Sequence, residues 1–538
     1  MNASPYRCTL LCLLAPFVVI LPFLFWGYPY SNDFEFHMNS WADVRQQWSE
    51  GVFFPKWAAW ANYGFGEPRF IFYPPASWML GPAISLLLPW RLAPAVFIWL
   101  AVAIAGVSMF RLARYGNLST NAAAMAAILY AANPYQLIVI YRRGAFSELL
   151  AAAMFPLFVM FVTRLSRSGR SEVAPLAMVF GGIWLISAPI AVIATYCGVL
   201  AAICMAVNRS AKLIVSMGAA LLVGIGVAGF YIVPAAYEQQ WVQIRLLSAP
   251  GLRPENNFLF SASPWASFPL NTAISILGGI EILIVSLGLT FTWPRNGSRE
   301  LSYLLFAITI TSVFLMLPLS LPLWYLLPKL SFVQFPWRWL VPLSTVFALV
   351  TALAVSQWKK LGGIAIAMFV LTTGLYAGQS HWRSQSHHIA QEVINRREGY
   401  RGTTEYTPLL SKPGASIRHT PEVQLRMPES VASESKESVV QITRWLAEDR
   451  AFTSYAAHPS SALLRLLNYP GWVAEVDGHR VPIASADGTG QAVIAIPAGK
   501  HEVAIHFGST PDRLCGWIVS IGSSVVLLLL FYMRKISL

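Results

Sequence analysis

Apolar stretches of bilayer-spanning length recur from one end of the chain to the other. They cover residues 10–28, a run ending near 110, then 119–139, 146–162, 173–189, 190–207, 213–233, 272–293, 301–317, 340–356, 361–378 and 514–533. This pattern predicts a mainly α-helical, polytopic membrane bundle with twelve net crossings. Residues 77–88 are apolar but short, and Pro89-Trp90-Arg91 closes the run. A re-entrant or interfacial course suits them as well as a crossing; if they span, with a compensating crossing near 317–327, the count becomes thirteen or fourteen.

The period changes in two places. Phe34, His37, Trp41, Val44 and Trp48 recur at helical spacing, with Asn39, Asp43, Gln46 and Gln47 on other faces, which predicts an amphipathic helix lying at the membrane interface. Beyond residue 379 the runs shorten and alternate. Residues 471–476 lead into Asp477-Gly478, a two-residue hairpin signal, and continue over 479–483. A second pair, 492–496 and 501–507, is joined through Pro497-Ala498-Gly499-Lys500, and 439–445 and 462–467 also alternate. The expected layout is a membrane domain (1–378) with a first outer loop (29–76), an extracytoplasmic β-rich domain (379–513), and a final span with a short basic tail (514–538).

Composition and charge fix the class and the orientation. Charged residues make up 12% of the chain, against roughly 25% in a soluble domain. Residues 379–513 carry 14 basic and 14 acidic side chains, so the net charge of +13 belongs wholly to the membrane part and is no nucleic-acid signature. Arg7, Arg111, Arg114, Arg164, Arg167, Arg170, Arg209, Lys212, Arg295, Arg299, Lys359, Lys360, Arg534 and Lys535 all fall on one side of the twelve-crossing arrangement. By the positive-inside rule that side is the cytoplasm, with both termini on it. The five cysteines, Cys8, Cys12, Cys197, Cys204 and Cys515, lie in or beside apolar runs without metal-site spacing.

Against so apolar a background, ionisable groups at a membrane boundary are functional candidates. The first 380 residues hold eleven carboxylates and one histidine, and Asp33, Glu35 and His37 stand together after the first span. One reading makes Asp33 or Asn32 a helix cap with Glu35 at the positive helix end. The other makes the carboxylates and His37 a proton-transfer or cation-binding group. Arg142, Arg143 and Glu148 occupy a turn predicted outside, against the charge rule, and form either a structural ion pair or a phosphate-binding fork. Arg338, beside Trp337 and Trp339, is either a snorkelling belt residue or a contact for an anionic headgroup. The run from Asn62 to Pro75, which includes Tyr73, has no βαβ context for its GxG and reads as a rigid aromatic loop closing over the site.

Several of these pieces form a set: Asn32-Asp33-Phe34-x-Phe36-His37, Gly64-x-Gly66-x-Pro68 with Phe72-Tyr73-Pro74-Pro75, Arg143-Gly144 with Glu148, Phe335-Pro336-Trp337-Arg338, Gly402-Thr403-Thr404-Glu405-Tyr406-x-Pro408, and the Gly471-Trp472 to Asp477-Gly478 hairpin. The set resembles a family of bacterial integral membrane proteins labelled 6-pyruvoyl-tetrahydropterin synthase-related. The label misleads, because pterin synthases use a soluble fold with a zinc-binding histidine set absent here. In architecture the family resembles GT-C-type glycosyltransferases. That resemblance implies a bacterial inner-membrane enzyme moving a sugar from a polyprenyl-phosphate donor to an extracytoplasmic glycan, lipid or protein acceptor. It implies Asp33 as catalytic base, with Glu35 and His37 beside it. Arg142, Arg143, Glu148, Tyr73, Trp337 and Arg338 would bind substrate. A divalent cation, Mg or Mn, would sit on Asp33 and Glu35, although the pair here is Asp-x-Glu rather than Asp-x-Asp. The rival readings are a lipid or glycan transporter without chemistry, and a silent scaffold whose outer domain binds glycan.

Overall fold

A computed structural model describes residues 10, 12–206, 211–265, 268–291, 299–357, 359–383, 399–411, 420–426 and 438–537. Arg7, Cys8, Arg209 and Arg295, which contribute to the charge argument above, lie outside these residues. The chain is a helical bundle followed by a β-rich domain and one last helix, Pro511–Ser537.

Among the described residues six helices are long and apolar enough to cross a membrane, or eight if each of two bent pairs is one span. That is fewer than the twelve to fourteen expected from hydropathy, in part because two of the expected runs, 146–162 and 173–189, lie in one broken segment. Three further apolar helices stand outside that count: Pro16–Trp26 is short at 11 residues, while Ala188–Ala206 and Lys359–Gly378 run 19 and 20 residues. The 41-residue segment Phe146–Ile186 breaks at Gly169–Glu172 into two helices that pack on each other. As one straight rod it would run about 60 Å, twice the hydrocarbon core. Pro75–Leu87 is a separate 13-residue helix, about 20 Å long and too short to span.

The basic loops meet at one end of the bundle. Glu172 pairs with Arg164 at 2.9 Å and with Arg534 at 3.2 Å, and Arg167 pairs with Glu300 at 3.4 Å. The last helix leads from the β domain at Pro511 to this basic end, about 40 Å away for its 27 residues.

At the other end, β1 (Tyr28–Pro29) pairs antiparallel with β2 (Trp382–Arg383), so the exit of the first helix is tied to the entry of the outer domain. Seven of the remaining strands are β3 (Val423–Arg426), β4 (Ser438–Trp445), β5 (Asp449–Ala456), β6 (Ser460–Leu467), β7 (Trp472–Val476), β8 (His479–Val481) and β9 (Ile483–Ser485). With β10 (Gln491–Ile496) and β11 (Gly499–Phe507) they form two sheets of order β3-β6-β10-β9 and β4-β5-β11-β7-β8. The Asp477-Gly478 turn is as read from the sequence: both residues have positive φ, and Val476 faces His479. The second expected hairpin does not form. β10 pairs with β6 and β9, while β11 pairs with β5 and β7. Ile494 and Ile496 on one side and Val503 and Ile505 on the other bury into one core from opposite sheets. The chain therefore crosses between layers at Pro497-Ala498 instead of folding back within one sheet.

That core is shared with the first outer loop. Trp57, Phe65, Ile71 and Phe72 are buried with Phe452, Leu464, Trp472 and Phe507, and the Trp57 ring stands edge-on to Trp472 at 5.4 Å. The outer helix, Phe34–Ser49, is correspondingly not an interfacial helix open to lipid: Trp41, Val44, Asp43 and Gln47 are all fully buried. Its apolar stripe meets the short helix Pro75–Leu87, where a Cβ on Gly81 would overlap the Trp41 ring at 2.0 Å. Its polar face meets the outer loop and the segment after residue 399. Protein, rather than the bilayer surface, satisfies both faces.

Candidate functional site

The helix Phe146–Ser168 begins just after a single π-helical turn, Val139–Arg143, a feature that often marks sites. Glu148 lies in its first turn, where the helix dipole favours an anion. Arg143 Nη1 donates to Glu148 Oε2 at 2.5 Å and Arg338 Nε donates to the same oxygen at 2.9 Å. The Tyr135 hydroxyl donates to the other oxygen. One carboxylate thus orients two guanidiniums that come from distant parts of the chain. Phe335 and Trp337 stack on each other at 4.7 Å, with Arg143 4.7 Å over Trp337 and Arg338 4.8 Å over Phe335. Arg338 Nη1 also donates to Val333 O at 2.7 Å. The structural-pair reading and the fork reading therefore meet in one cluster.

Asp33 faces this cluster. Its backbone N–H donates to Arg143 O at 2.8 Å. Gly144, at φ 62°, packs so tightly there that a Cβ would lie 2.4 Å from Ser31 Oγ. Asp33 is the N-cap of the outer helix by position, but its side chain makes no capping bond. Its carboxylate makes no hydrogen bond among the described residues and sits 4.0 Å from Arg143 Nη2, beyond hydrogen-bond range. Packed surroundings push its pKa up, while Arg143 and Arg338 pull the other way. With 45% of the side chain exposed, water moderates that push.

The other sequence candidates divide. Tyr73 belongs with the cluster: its hydroxyl shares a 2.9 Å hydrogen bond with Ser147, the neighbour of Glu148. His37 is turned inward, stacked on Phe146 at 4.9 Å, and neither ring nitrogen has a partner among the described residues. Burial, aided by Arg69, lowers its pKa to about 3, so it is a neutral wall of the site. Glu35 is exposed, and a spacing of two on a helix sends it to a different side from Asp33. Asp33 and Glu35 therefore do not converge as metal ligands, and no three His, Cys, Asp or Glu side chains converge among the described residues. Arg142 points away, to Gln379 at 3.5 Å. The Asn62–Pro75 run does not close over Asp33 along its length. Its first half grips the outer domain through Arg465, which donates to Tyr63 O at 2.6 Å, and only Tyr73 reaches the cluster.

A second polar network has no counterpart among the sequence candidates. Arg69 pairs with Glu67 at 2.7 Å and donates to Ser40 Oγ and Thr403 Oγ1 at 2.9 and 3.0 Å. Asp43 accepts from Tyr400 at 2.8 Å and from the N–H groups of Ala59 and Trp60. These bonds lock the outer helix that carries Asp33 against residues 400–403. The one sequence signal was the i, i+4 pair Asp43 and Gln47. Burial raises the Asp43 pKa to about 7. An acid whose folded pKa lies above its unfolded value binds its proton more tightly when folded. Asp43 therefore stabilises the fold below its unfolded range near pH 4, and this contribution is lost as pH rises towards 7. The melting temperature of the detergent-solubilised protein should fall over that window, and Asp43→Asn should flatten the fall. An equal slope in the variant would assign the effect to another group.

A family model described as 6-pyruvoyl-tetrahydropterin synthase related domain, membrane protein, matches residues 70–381. No curated protein sequence matches the chain. Among solved structures, the chain is similar to the arabinofuranosyltransferase AftD from Mycobacteria, in its R1389S mutant, with 14% identity and a TM-score of 0.49. That match covers 70% of this chain and 28% of the other, so the chain spans less than a third of that transferase. An oligosaccharyltransferase from Archaeoglobus fulgidus matches at 13% identity and TM-score 0.41, over 74% of this chain and 56% of that one. ArnT from Cupriavidus metallidurans, solved bound to undecaprenyl phosphate, matches at 11% identity and TM-score 0.31, over 82% and 97%.

Proposed function

We infer a function for a chain that belongs to the 6-pyruvoyl-tetrahydropterin synthase related family of membrane proteins: transfer of a sugar from a polyprenyl phosphate to an acceptor outside the cytoplasm of a bacterial cell. One observation carries the reading. A half-exposed carboxylate without a hydrogen bond among the described residues, Asp33, faces two buried guanidiniums that one glutamate holds in place. In this reading Asp33 takes the proton of the acceptor hydroxyl, whose oxygen attacks the anomeric carbon of the sugar. The bond from that carbon to the phosphate oxygen breaks, and polyprenyl phosphate leaves with its charge against Arg143 and Arg338. Glu148 balances only one of the two arginines, and Asp33 supplies the nearest second negative charge. A bound phosphate takes over that balance and leaves Asp33 free to act as base. Because Asp33 and Glu35 do not converge, no step is assigned to a divalent metal.

The transporter reading would draw on the discontinuous spans, but the cluster at Asp33 lies where the first helix meets the outer loop, as group transfer to an outside acceptor needs. The decisive experiment is binding of a polyprenyl monophosphate to the protein in nanodiscs. Wild type should bind, and Arg338→Lys, which keeps the charge, should bind about tenfold more weakly, since an ammonium cannot reproduce the planar fork. Equal affinity in Arg338→Lys, or no binding by wild type, would remove the phosphate site and with it this function.

A further inference from the structure

Glu281 sits near the middle of the span Leu270–Thr290, a buried carboxylate that the chemistry above does not use. No arginine or lysine bonds to it among the described residues. Its oxygens accept from Asn133 Nδ2 at 2.7 Å and from Ser344 Oγ at 3.2 Å. An ionisable group at this depth is costly and by default functional.

Asn133 shows where that function leads. The helix Thr120–Ala131 ends just before it, and Asn133, at ψ 135°, turns the chain within the span Thr120–Arg143. Its side-chain oxygen accepts from Tyr135 N at 2.7 Å and so caps the turn Pro134–Ile138. That turn runs directly into Val139–Arg143. The short stretch beyond the break therefore carries both Tyr135, whose hydroxyl holds Glu148, and Arg143 itself. Breaks of this kind persist in a membrane only where side chains satisfy the freed backbone groups.

We propose that Glu281 is a positioning residue for the arginine cluster. By fixing the Asn133 amide it sets the angle at which the broken span presents Tyr135 and Arg143 to Glu148, and hence the spacing of the two guanidiniums. The role in substrate binding rests on reading that cluster as the phosphate site; the role in holding the broken span does not.

The test uses the full chain in nanodiscs, with a polyprenyl monophosphate as probe and amide hydrogen exchange over residues 134–148 as a second readout. Glu281→Ala should weaken binding about tenfold and speed exchange over 134–148. Glu281→Gln keeps an acceptor for Asn133 and should stay close to wild type in both. Asn133→Ser still offers an oxygen to Tyr135 N but cannot reach Glu281, so it should behave like Glu281→Ala. Unchanged affinity and exchange in Glu281→Ala and Asn133→Ser, or a lower melting temperature alone, would overturn the proposal. If Glu281→Ala fails to fold, the Gln and Ser variants decide: a wild-type Gln with a weakened Ser upholds it, and two equal variants overturn it. If wild type binds no polyprenyl phosphate, the functional reading fails, while faster exchange in the variants still upholds the positioning role.

Discussion

Asp33→Asn is expected to leave expression, folding and polyprenyl-phosphate binding intact while sugar transfer falls by about 10²–10⁴-fold, the range a positioned general base supplies. The fold does not rely on this carboxylate. Its side chain makes no cap and no hydrogen bond among the described residues, and the bond from its backbone N–H to Arg143 O survives the change. An amide cannot take the acceptor proton. It also removes a negative charge 4.0 Å from Arg143, so affinity for an anion should hold or rise. Transfer assayed from a radiolabelled lipid-linked sugar, beside phosphate-lipid affinity, gives the signature. Wild-type transfer would exclude Asp33 as the base. Joint loss of transfer and affinity would make it a structural partner of Arg143.

Glu148→Ala is expected to be the most destabilising single change near the site, by about 3–5 kcal/mol. Two guanidiniums, each almost wholly buried, would lose the oxygen they share, and the Tyr135 hydroxyl would lose its acceptor. Breaking a buried ion cluster from one side leaves uncompensated charge, whereas replacing the whole cluster by apolar side chains does not. The triple replacement of Glu148, Arg143 and Arg338 by leucine should therefore recover most of the lost stability while abolishing phosphate-lipid binding. Thermal melts in detergent with binding on the same preparations would show it. A Glu148→Ala variant as stable as wild type would mean that water reaches the arginines freely and that the cluster is not a buried, preorganised one.

Much of the architecture was legible in the sequence because it depends on neighbours along the chain. Hydropathy over some twenty residues marks an apolar membrane segment whatever the rest of the fold does. Alternation with Asp477-Gly478 marks a hairpin because the turn itself selects for positive φ. The cost of placing Asp33, Arg143, Glu148 and Arg338 at a membrane edge is local too, and it singled those residues out before any contact was known.

What those residues do together was decided by packing over long separations. Arg338 and Glu148 are 190 positions apart, and Tyr400 and Asp43 are 357 apart. His37 and Glu35 looked equivalent to Asp33 from spacing, yet packing against Phe146 buried one and left the other exposed. The amphipathic period of residues 34–48 predicts the helix that forms but not its buried setting. The period records which side is apolar, not whether lipid or protein covers it. Alternation likewise marks β10 and β11 as strands but does not place them in opposite sheets. The sequence by itself determined the elements, their membrane setting and a short list of chemically costly side chains, since propensity and solvation act residue by residue. Only the tertiary structure decided which of those side chains share one oxygen, which face water and which are walls, since these depend on the distances that close packing sets between segments remote in the chain.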